Sequence, residues 1–398
     1  MELIGKKIVI IVENLPLPFD RRVWQESNAL KEAGAEVFII CPIGKGYELE
    51  YEKINDIHIY RHFLPIEANG AIGYLFEYSY SLFYQRKLLR KIWIEQNGFD
   101  VIQACNPPDL IYLNVKKYIK MGVKFVFDHH DINPELYLAK FEKEDVFYKL
   151  LKFFERQTFS CADISIATNE SYKKIAIERG LMKPTDVYVV RSGPDLSRLK
   201  IQAPKIELKK NKLITIGYIG VIGQQEGIDH LLKALKILVD KFNYHDFHCY
   251  IIGDGPVRLV MEKMCKKLNL DSFVTFTGRI PDSKMLNILN TCDLCVNPDI
   301  YNEMNDKSTM NKIMEYMALG KPIVQYDLTE GRVSAQDASL YAARNDINDF
   351  AIKIFELINN KDKRELMSNF GKKRVLKDLH WGIEKEKYLD TYRMLLKS

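Results

Sequence analysis

Lys7-Ile-Val-Ile-Ile-Val12, then Asp20-Arg-Arg-Val-Trp-Gln-Glu-Ser-Asn-Ala-Leu-Lys-Glu-Ala33-Gly34, then Glu36-Val-Phe-Ile-Ile-Cys41-Pro42 is the stretch whose reading decides the fold. The first run is short, apolar and largely β-branched, as a strand buried on both faces must be. The second places apolar residues at helical spacing and ends at a glycine, the residue that enters the left-handed conformation past a helix end at least cost. The third is another buried strand, stopped by proline. Strand, helix and strand in this order form the unit of a parallel sheet covered by helices on both faces.

Outward from this unit the alternation continues. Val101–Ala104, Val123–Asp128, Ile164–Thr168 and Val187–Val190 read as further strands. After Asp195 the pattern breaks into a Lys-rich polar stretch and then resumes. Strands are expected at Leu213–Ile219, Cys249–Ile252, Phe273–Thr277, Leu294–Pro298 and Ile323–Tyr326, with helices at Ile228–Lys241, Val257–Leu268, Ser283–Asn290 and Ser308–Leu319 between them. A chain of 398 residues exceeds what one hydrophobic core usually supports. The expectation is therefore two doubly wound, Rossmann-like α/β domains, residues 1–199 and 213–378, joined by a linker at 200–212. Residues 379–398 should form a helix that packs back on the first domain. Ligands of such sheets sit outside the carboxyl ends of the strands, so the two domains should face a central cleft that holds the site.

The composition narrows the class. Hydrophobic residues make up 47% and charged residues 28%, ordinary for globular domains, and the net charge of +5 gives nucleic-acid binding no support. No apolar run approaches the roughly 20 residues that span a bilayer, and Met1–Lys7 leads straight into a strand, so a cytoplasmic protein is expected. Seven scattered cysteines read as reduced core residues. Cys292 and Cys295 form a C-x-x-C, but without a second pair or a nearby histidine core packing is the better reading than metal or redox chemistry. The segment 76–93 projects as a helix with Tyr78, Leu82, Leu89 and Ile92 on one face and Arg86, Lys87, Arg90 and Lys91 opposite, among Tyr80, Phe83 and Tyr84. Exposed aromatics among cations suit an anionic membrane surface, which would make the protein peripheral on the inner face of the cytoplasmic membrane; aromatics packing on the next element are the alternative.

Chemistry concentrates in three places. Gly220–Gly227 and Gly253-Asp254-Gly255-Pro256 follow strands and open helices, where bare backbone and a helix start favour phosphate; plain turn chemistry explains either one taken alone. Ser308-Thr-Met-Asn-Lys312-Ile-Met-Glu315 starts a helix closed by Gly320, with Lys312 and Glu315 on one face. A helix start, a lysine and a carboxylate together suit a nucleoside diphosphate, with a surface ion pair as the alternative. Asp128-His129-His130-Asp131 ends an apolar strand, where a histidine can donate to a sugar hydroxyl or to charge developing in a transition state, unless it is a loop residue or a metal ligand. There is no Asp-x-Asp metal motif, so no metal or other cofactor is expected.

Gly253-Asp254-Gly255-Pro256, Phe276-Thr-Gly278-Arg279-Ile280-Pro281, Asn297-Pro298 and Glu315-Tyr-Met-Ala-Leu-Gly320-Lys-Pro322, in this order, resemble the donor half of the family-4 retaining glycosyltransferases of the GT-B fold. Ala33-Gly34 with Glu36-Val37, and Ala162-Asp163 with Ser165-Ile-Ala-Thr168, extend the resemblance to the first half. Phe19-Asp20-Arg21-Arg22-Val23, Asn106-Pro107-Pro108-Asp109 and Arg332-Val-Ser334-Ala resemble a branch found in bacterial surface-polysaccharide clusters. The resemblance implies transfer of a sugar from a nucleotide diphosphate donor, expected to be a UDP-sugar, with retention, to a saccharide or polyprenyl-linked acceptor. It implies that Glu315 holds the donor ribose, that Gly278, Arg279 and Ile280 hold the base through backbone, and that His130 faces the transferred sugar.

The chain departs from the family at three positions. Val221 and Glu226 stand where an Arg and a Lys usually meet the diphosphate, and Lys307 replaces the first glutamate of a Glu-x7-Glu pair. Lys312, then Lys307, then Arg21 and Arg22 are the replacement cations to expect, and Glu303, Asp306, Asn305 and Ser308 are the candidates for the sugar. Asp20, Asn106 and Asp131 complete the candidate phosphate or acceptor contacts. A nucleotide-sugar epimerase or hydrolase, and a non-catalytic sugar-nucleotide-binding protein, are the rival readings.

Overall fold

The computed structural model describes residues 3–64 and 70–397. The chain divides into two compact units, one formed by Met1–Ser192 with Glu384–Ser398, the other by Gly193–Ile383.

In the first unit, β1 (Lys7–Ile11), β2 (Glu36–Pro42), β3 (Tyr51–Ile54), β4 (Ile57–His62), β5 (Val101–Cys105), β6 (Lys124–His129), β7 (Ile164–Ala167) and β8 (Val187–Val189) form one sheet in the order β3-β4-β2-β1-β5-β6-β7-β8. Only β3 runs antiparallel to its neighbour. The helix Arg21–Glu32 follows β1 because Asp20 caps it, accepting from Val23 N at 3.1 Å, and the chain turns away at Gly34 with φ +102°. From β1 the chain steps outward to β2 and β4, then returns to β5 and continues the other way. Strand order therefore reverses between β1 and β5, the position at which such sheets open a crevice for ligands.

The second unit repeats the plan with β9 (Ile214–Ile219), β10 (Phe247–Ile252), β11 (Val274–Gly278), β12 (Leu294–Asn297), β13 (Ile323–Tyr326) and β14 (Ser339–Ala342), all parallel, in the order β11-β10-β9-β12-β13-β14. Its reversal lies between β9 and β12. Leu231, Leu235 and Leu238 of the helix Ile228–Asp240 pack with Phe350, Ile354 and Leu357 of the helix Ile347–Asn359 in one apolar layer, and Met285, Leu289, Ile313 and Met317 fill another.

Both boundaries differ from the expected ones. The stretch 200–212 belongs to the second unit: Gln202 N donates to Asn290 Oδ1 at 2.9 Å, Lys205 N to Thr291 Oγ1 at 2.9 Å, and the Tyr250 hydroxyl to Leu208 O at 2.7 Å. The division falls between Ser192 and Gly193 instead. At the other end the helix runs Trp381–Lys397, and from Glu384 onward it is part of the first unit, where Glu384 accepts the Arg191 N–H at 2.8 Å.

Candidate active site

In the first unit, the carboxyl ends of β5 and β6 bring together a buried polar network. Asp128 and His130 lie on one face of the strand end and His129 on the other, as alternation along an extended chain requires. His130 Nε2 is 2.8 Å from Asp128 Oδ2 and 3.0 Å from Arg22 Nε, and its ring keeps 15% exposure. Burial depresses the imidazole, but the charge and hydrogen bond of Asp128 more than reverse this, leaving it above the ordinary histidine range. Asp128 itself is held low although burial opposes ionisation, because His130 and Arg22 face it. Glu26 is pushed up to about 8 by burial and by Asp128, so at neutral pH it carries the proton that its neighbour lacks.

Gln103 organises this pair. Its Nε2 donates to Glu26 Oε2 at 2.8 Å and to Asp128 Oδ2 at 2.9 Å, while its Oε1 accepts the hydroxyls of Tyr388 at 2.6 Å and Tyr392 at 2.5 Å. All five side chains are fully buried. The C-terminal helix thus holds, through one amide, the carboxylate that pairs with His130. Cys105, Asp128 and His130 offer ligand atoms within 4.8 Å of one another. Arg22 supplies the positive charge at this cluster, 3.2 Å from Asp128 Oδ1, and burial keeps the Cys105 thiol protonated, so the cluster suits a guanidinium better than a metal ion.

Several expected contacts turn out to be internal supports. Arg22 is buried and also donates to Val190 O at 3.0 Å and Ser192 Oγ at 3.1 Å, which removes it from phosphate binding. Asn106 is a clamp rather than an acceptor contact: its Oδ1 accepts His130 N at 2.7 Å and Asp131 N at 3.1 Å, and its Nδ2 donates to Asp109 Oδ1 at 2.8 Å and Asp131 O at 2.6 Å. Asp20 caps the helix that carries Arg22. Burial raises the Asp131 carboxyl, and Arg21 lies on the surface. His129 is a core histidine, packed 5.0 Å from the Phe159 ring and 5.3 Å from the Tyr172 ring.

In the second unit the loops after β9, β10 and β11 are laced together by backbone. Gly220 N donates to Ile252 O at 3.0 Å, Ile222 N to Asp254 O at 3.0 Å and Gly253 N to Gly278 O at 3.1 Å. A Cβ on Gly253 would stand 1.8 Å from Gly220 O, so here the glycine serves loop packing first. Lys312, on the helix Asn311–Ala318, reaches this edge: its Nζ lies 2.8 and 3.0 Å from the two oxygens of the buried Asp299 and 4.9 Å from the centre of the Tyr218 ring. Its Cε would be 3.5 Å from a Cβ on Gly220. Burial raises Glu226, assisted by Asp299 and opposed by Lys312, so the glutamate that replaces the expected lysine leans toward its neutral form. Glu315 pairs with Arg198, which also meets Asp282 at 3.2 Å. Asp254 bonds its own turn at Gly255 N, 2.8 Å, and Arg258 at 3.1 Å; Arg279 is exposed and Ile280 partly buried.

In the helix Glu303–Lys307 the candidate side chains are engaged with protein partners. Asn302 caps it, so Glu303 and Lys307 fall one turn apart and pair with each other at 2.6 Å as a partly exposed surface pair. Asp306 instead caps the helix Thr329–Ala335, accepting Thr329 N at 2.9 Å, and meets Arg344 at 3.1 Å. The Ser308 hydroxyl returns to Met304 O at 2.7 Å, and Asn305 Nδ2 closes the loop on Gln225 O and Ile300 O. Glu303 and Ser308 thus bond within this segment, while Asp306 and Asn305 tie it to the helix Thr329–Ala335 and to the loop at Gln225.

Residues 20–198 match the family described as Glycosyltransferase Family 4, and residues 200–374 match Glycosyl transferases group 1. Both halves are glycosyltransferase domains. The capsular polysaccharide biosynthesis glycosyltransferase CapM of Staphylococcus aureus is 26% identical over 63% of this chain and 67% of its own. The first curated relatives are matched over 62% and 67% of their own length. Among solved structures, sucrose-phosphate synthase of Thermosynechococcus elongatus is similar with a TM-score of 0.80 at 16% identity over 98% of this chain and 99% of that one. HepE of Anabaena, solved with UDP and glucose, gives 0.72 at 14% over 98% and 100%. The two glycosyltransferase domains take the two-Rossmann GT-B fold, whose neighbours these are.

The helix of the first domain that was expected at 76–93 runs Gly70–Glu95. Leu82, Leu89 and Ile92 are buried as that projection requires. On the other side Tyr84 stacks 6.0 Å from His62, Lys91 lies 5.4 Å over Tyr60 and Arg86 donates to Asn114 at 3.2 Å, while Phe76 and Phe83 stay exposed. Among the described residues no helix is long and apolar enough to cross a membrane.

Proposed function

We propose that this chain transfers a sugar from a nucleotide diphosphate donor, with retention, onto a saccharide or lipid-linked acceptor in surface-polysaccharide assembly. The observation that carries this reading is the pair Lys312 and Glu315 on one helix beside three glycine-bearing strand ends, each already engaged in an ion pair that a donor can replace. Glu315 exchanges Arg198 for a ribose diol, and the backbone of Gly278, Arg279 and Ile280 takes the base. Lys312 and Arg198 then supply the positive charge that Val221 and Glu226 do not. Their combined charge and the helix start stabilise the departing diphosphate, so the reading requires no metal. The kinship with CapM and with HepE, the latter solved with UDP and glucose, supports a UDP-sugar and a polysaccharide context.

In the first domain His130, whose imidazole Asp128 shifts toward its charged form, is assigned to donate to the transferred sugar or to the charge developing on it. Retention requires the acceptor hydroxyl to be held on the face that the leaving group vacates. The test is a panel of nucleotide sugars assayed for nucleotide release with and without a polyprenyl-linked acceptor. Release that depends on acceptor, with a glycosylated product of unchanged anomeric configuration, is expected. Acceptor-independent turnover would point to an epimerase or hydrolase, and tight binding without turnover to a binding protein.

A further inference from the structure

The first domain holds a cavity of about 220 Å³ that the donor chemistry does not use. Its walls come from the helices Gly70–Glu95, Asn133–Phe141 and Val146–Phe159, with Leu136, Phe141, Leu150, Leu151 and Phe154 making them almost entirely carbon. We propose that this cavity receives the aliphatic chain of an amphiphilic acceptor, with the anionic head beside Lys140.

Three observations lead there. The cavity has no array of polar groups to recognise a sugar. Its polar members at the inner end, Asp109 and Asn133, are spent on each other at 2.7 Å. Its mouth is apolar as well: Phe147 and Leu150 are 47% and 40% exposed, and Val146 and Phe153 beside them on the same helix are 70% and 51% exposed. So much uncovered apolar surface around one opening marks a site for an apolar ligand. Lys140 lines the same cavity, whereas Lys143 and Lys149 on the adjoining turn and helix are interleaved with Glu142, Glu144 and Asp145, so Lys140 is the cation placed to meet an anionic head at the carbon-lined pocket.

The third observation is continuity with the candidate active site. Asp109 accepts from Asn106 at 2.8 Å, and Asn106 holds the backbone N–H groups of His130 and Asp131. The inner wall of the cavity is therefore the back of the clamp that sets His130. A chain seated there lies with its inner end against that clamp and leaves its head at the mouth, beside Lys140.

This inference rests on the lipid-linked acceptor proposed above, and its test is separable from that reading because it measures binding without transfer. Farnesyl phosphate, farnesol and inorganic phosphate are titrated separately against the full chain by calorimetry, below the concentration at which the lipids aggregate. Farnesyl phosphate should bind, farnesol about tenfold more weakly, and inorganic phosphate without measurable affinity. Leu150→Glu at the mouth and Leu151→Arg inside should each lower farnesyl phosphate affinity at least tenfold, and Lys140→Ala should remove most of the difference between phosphate and alcohol. UDP affinity should stay unchanged in all three variants and reports an intact second domain. Phe83→Ser, on an exposed part of the helix Gly70–Glu95, is the control for diffuse adsorption. Unchanged farnesyl phosphate binding in both leucine variants, or an equal loss in the Phe83 control, would overturn the proposal. Acceptor-dependent transfer surviving in both leucine variants would overturn the proposal while leaving the glycosyltransferase reading in place.

Discussion

Replacing Gln103 by methionine keeps the side-chain length and removes every hydrogen bond at the centre of the first domain's network. Glu26 and Asp128 each lose a donor, and the hydroxyls of Tyr388 and Tyr392 each lose an acceptor, all in positions closed to water. Asp128 keeps His130 and Arg22, and Glu26 keeps Arg22, so the loss is that of the four hydrogen bonds themselves; at about 1 kcal/mol net for each, it comes to roughly 4 kcal/mol. That is a large share of the roughly 5–15 kcal/mol that stabilises a domain. Tyr388→Phe should cost only about 1 kcal/mol, because Tyr392 still satisfies the amide oxygen. The double change Tyr388→Phe with Tyr392→Phe should exceed the sum of the single ones, since only then is that oxygen orphaned. Urea unfolding followed by circular dichroism reads these differences: with a slope of about 2 kcal/mol/M, Gln103→Met should lower the first domain's midpoint by roughly 2 M. A midpoint no lower than that of Tyr388→Phe would refute the idea that the amide organises the network.

The pH dependence of stability tests the same network. Glu26 at about 8, Glu13 at about 8 and Asp109 at about 7 all sit above the unfolded carboxyl range, mainly through burial. The folded state therefore binds more protons, and stability falls as pH rises from about 4.5 through 8. Glu26→Gln should remove its part of that alkaline loss, which denaturation midpoints at pH 6 and pH 9 would reveal as a shallower slope. His130→Ala should lower turnover at least tenfold more than donor affinity, whereas His129→Ala should lower the melting temperature because its ring fills an aromatic pocket; equal kinetic effects at both would remove the special role of His130. Lys307→Ala should leave donor affinity within about twofold of wild type, since an i,i+4 surface pair contributes roughly 0.3–0.5 kcal/mol; a tenfold loss by titration would return Lys307 to the donor site.

The repeating strands and helices were legible because buried parallel strands are continuous apolar runs and each helix has its own start and stop. The hairpin of β3 and β4 escaped that reading: β3 is an edge strand with no buried run, and its turn is Asn55-Asp56, both at positive φ, a two-residue signal easily missed outside the Asn-Gly form. Residues 200–212 looked like a linker because their docking uses backbone N–H groups and leaves the polar side chains outside. In the candidate site, Lys312 and Glu315 were visible as a helical pair, but their partners Asp299 and Arg198 come from loops with no local periodicity. Arg22 was visible as a charge and not as a buried one. The link from Gln103 to Tyr388 and Tyr392 joins positions at opposite ends of the chain, and no pattern near either end announces it.

The most direct test of the central claim is equilibrium titration of UDP-glucose, UDP and uridine against the wild-type chain and against Lys312→Ala and Glu315→Ala. The account predicts that Glu315→Ala weakens all three ligands, because all share the ribose, by at least tenfold, equivalent to about 1.4 kcal/mol. Lys312→Ala should weaken UDP-glucose and UDP to a similar degree while sparing uridine, because only they carry the diphosphate. Unchanged binding in both variants, or a loss in Lys312→Ala that falls equally on uridine, would contradict the placement of the donor on this helix.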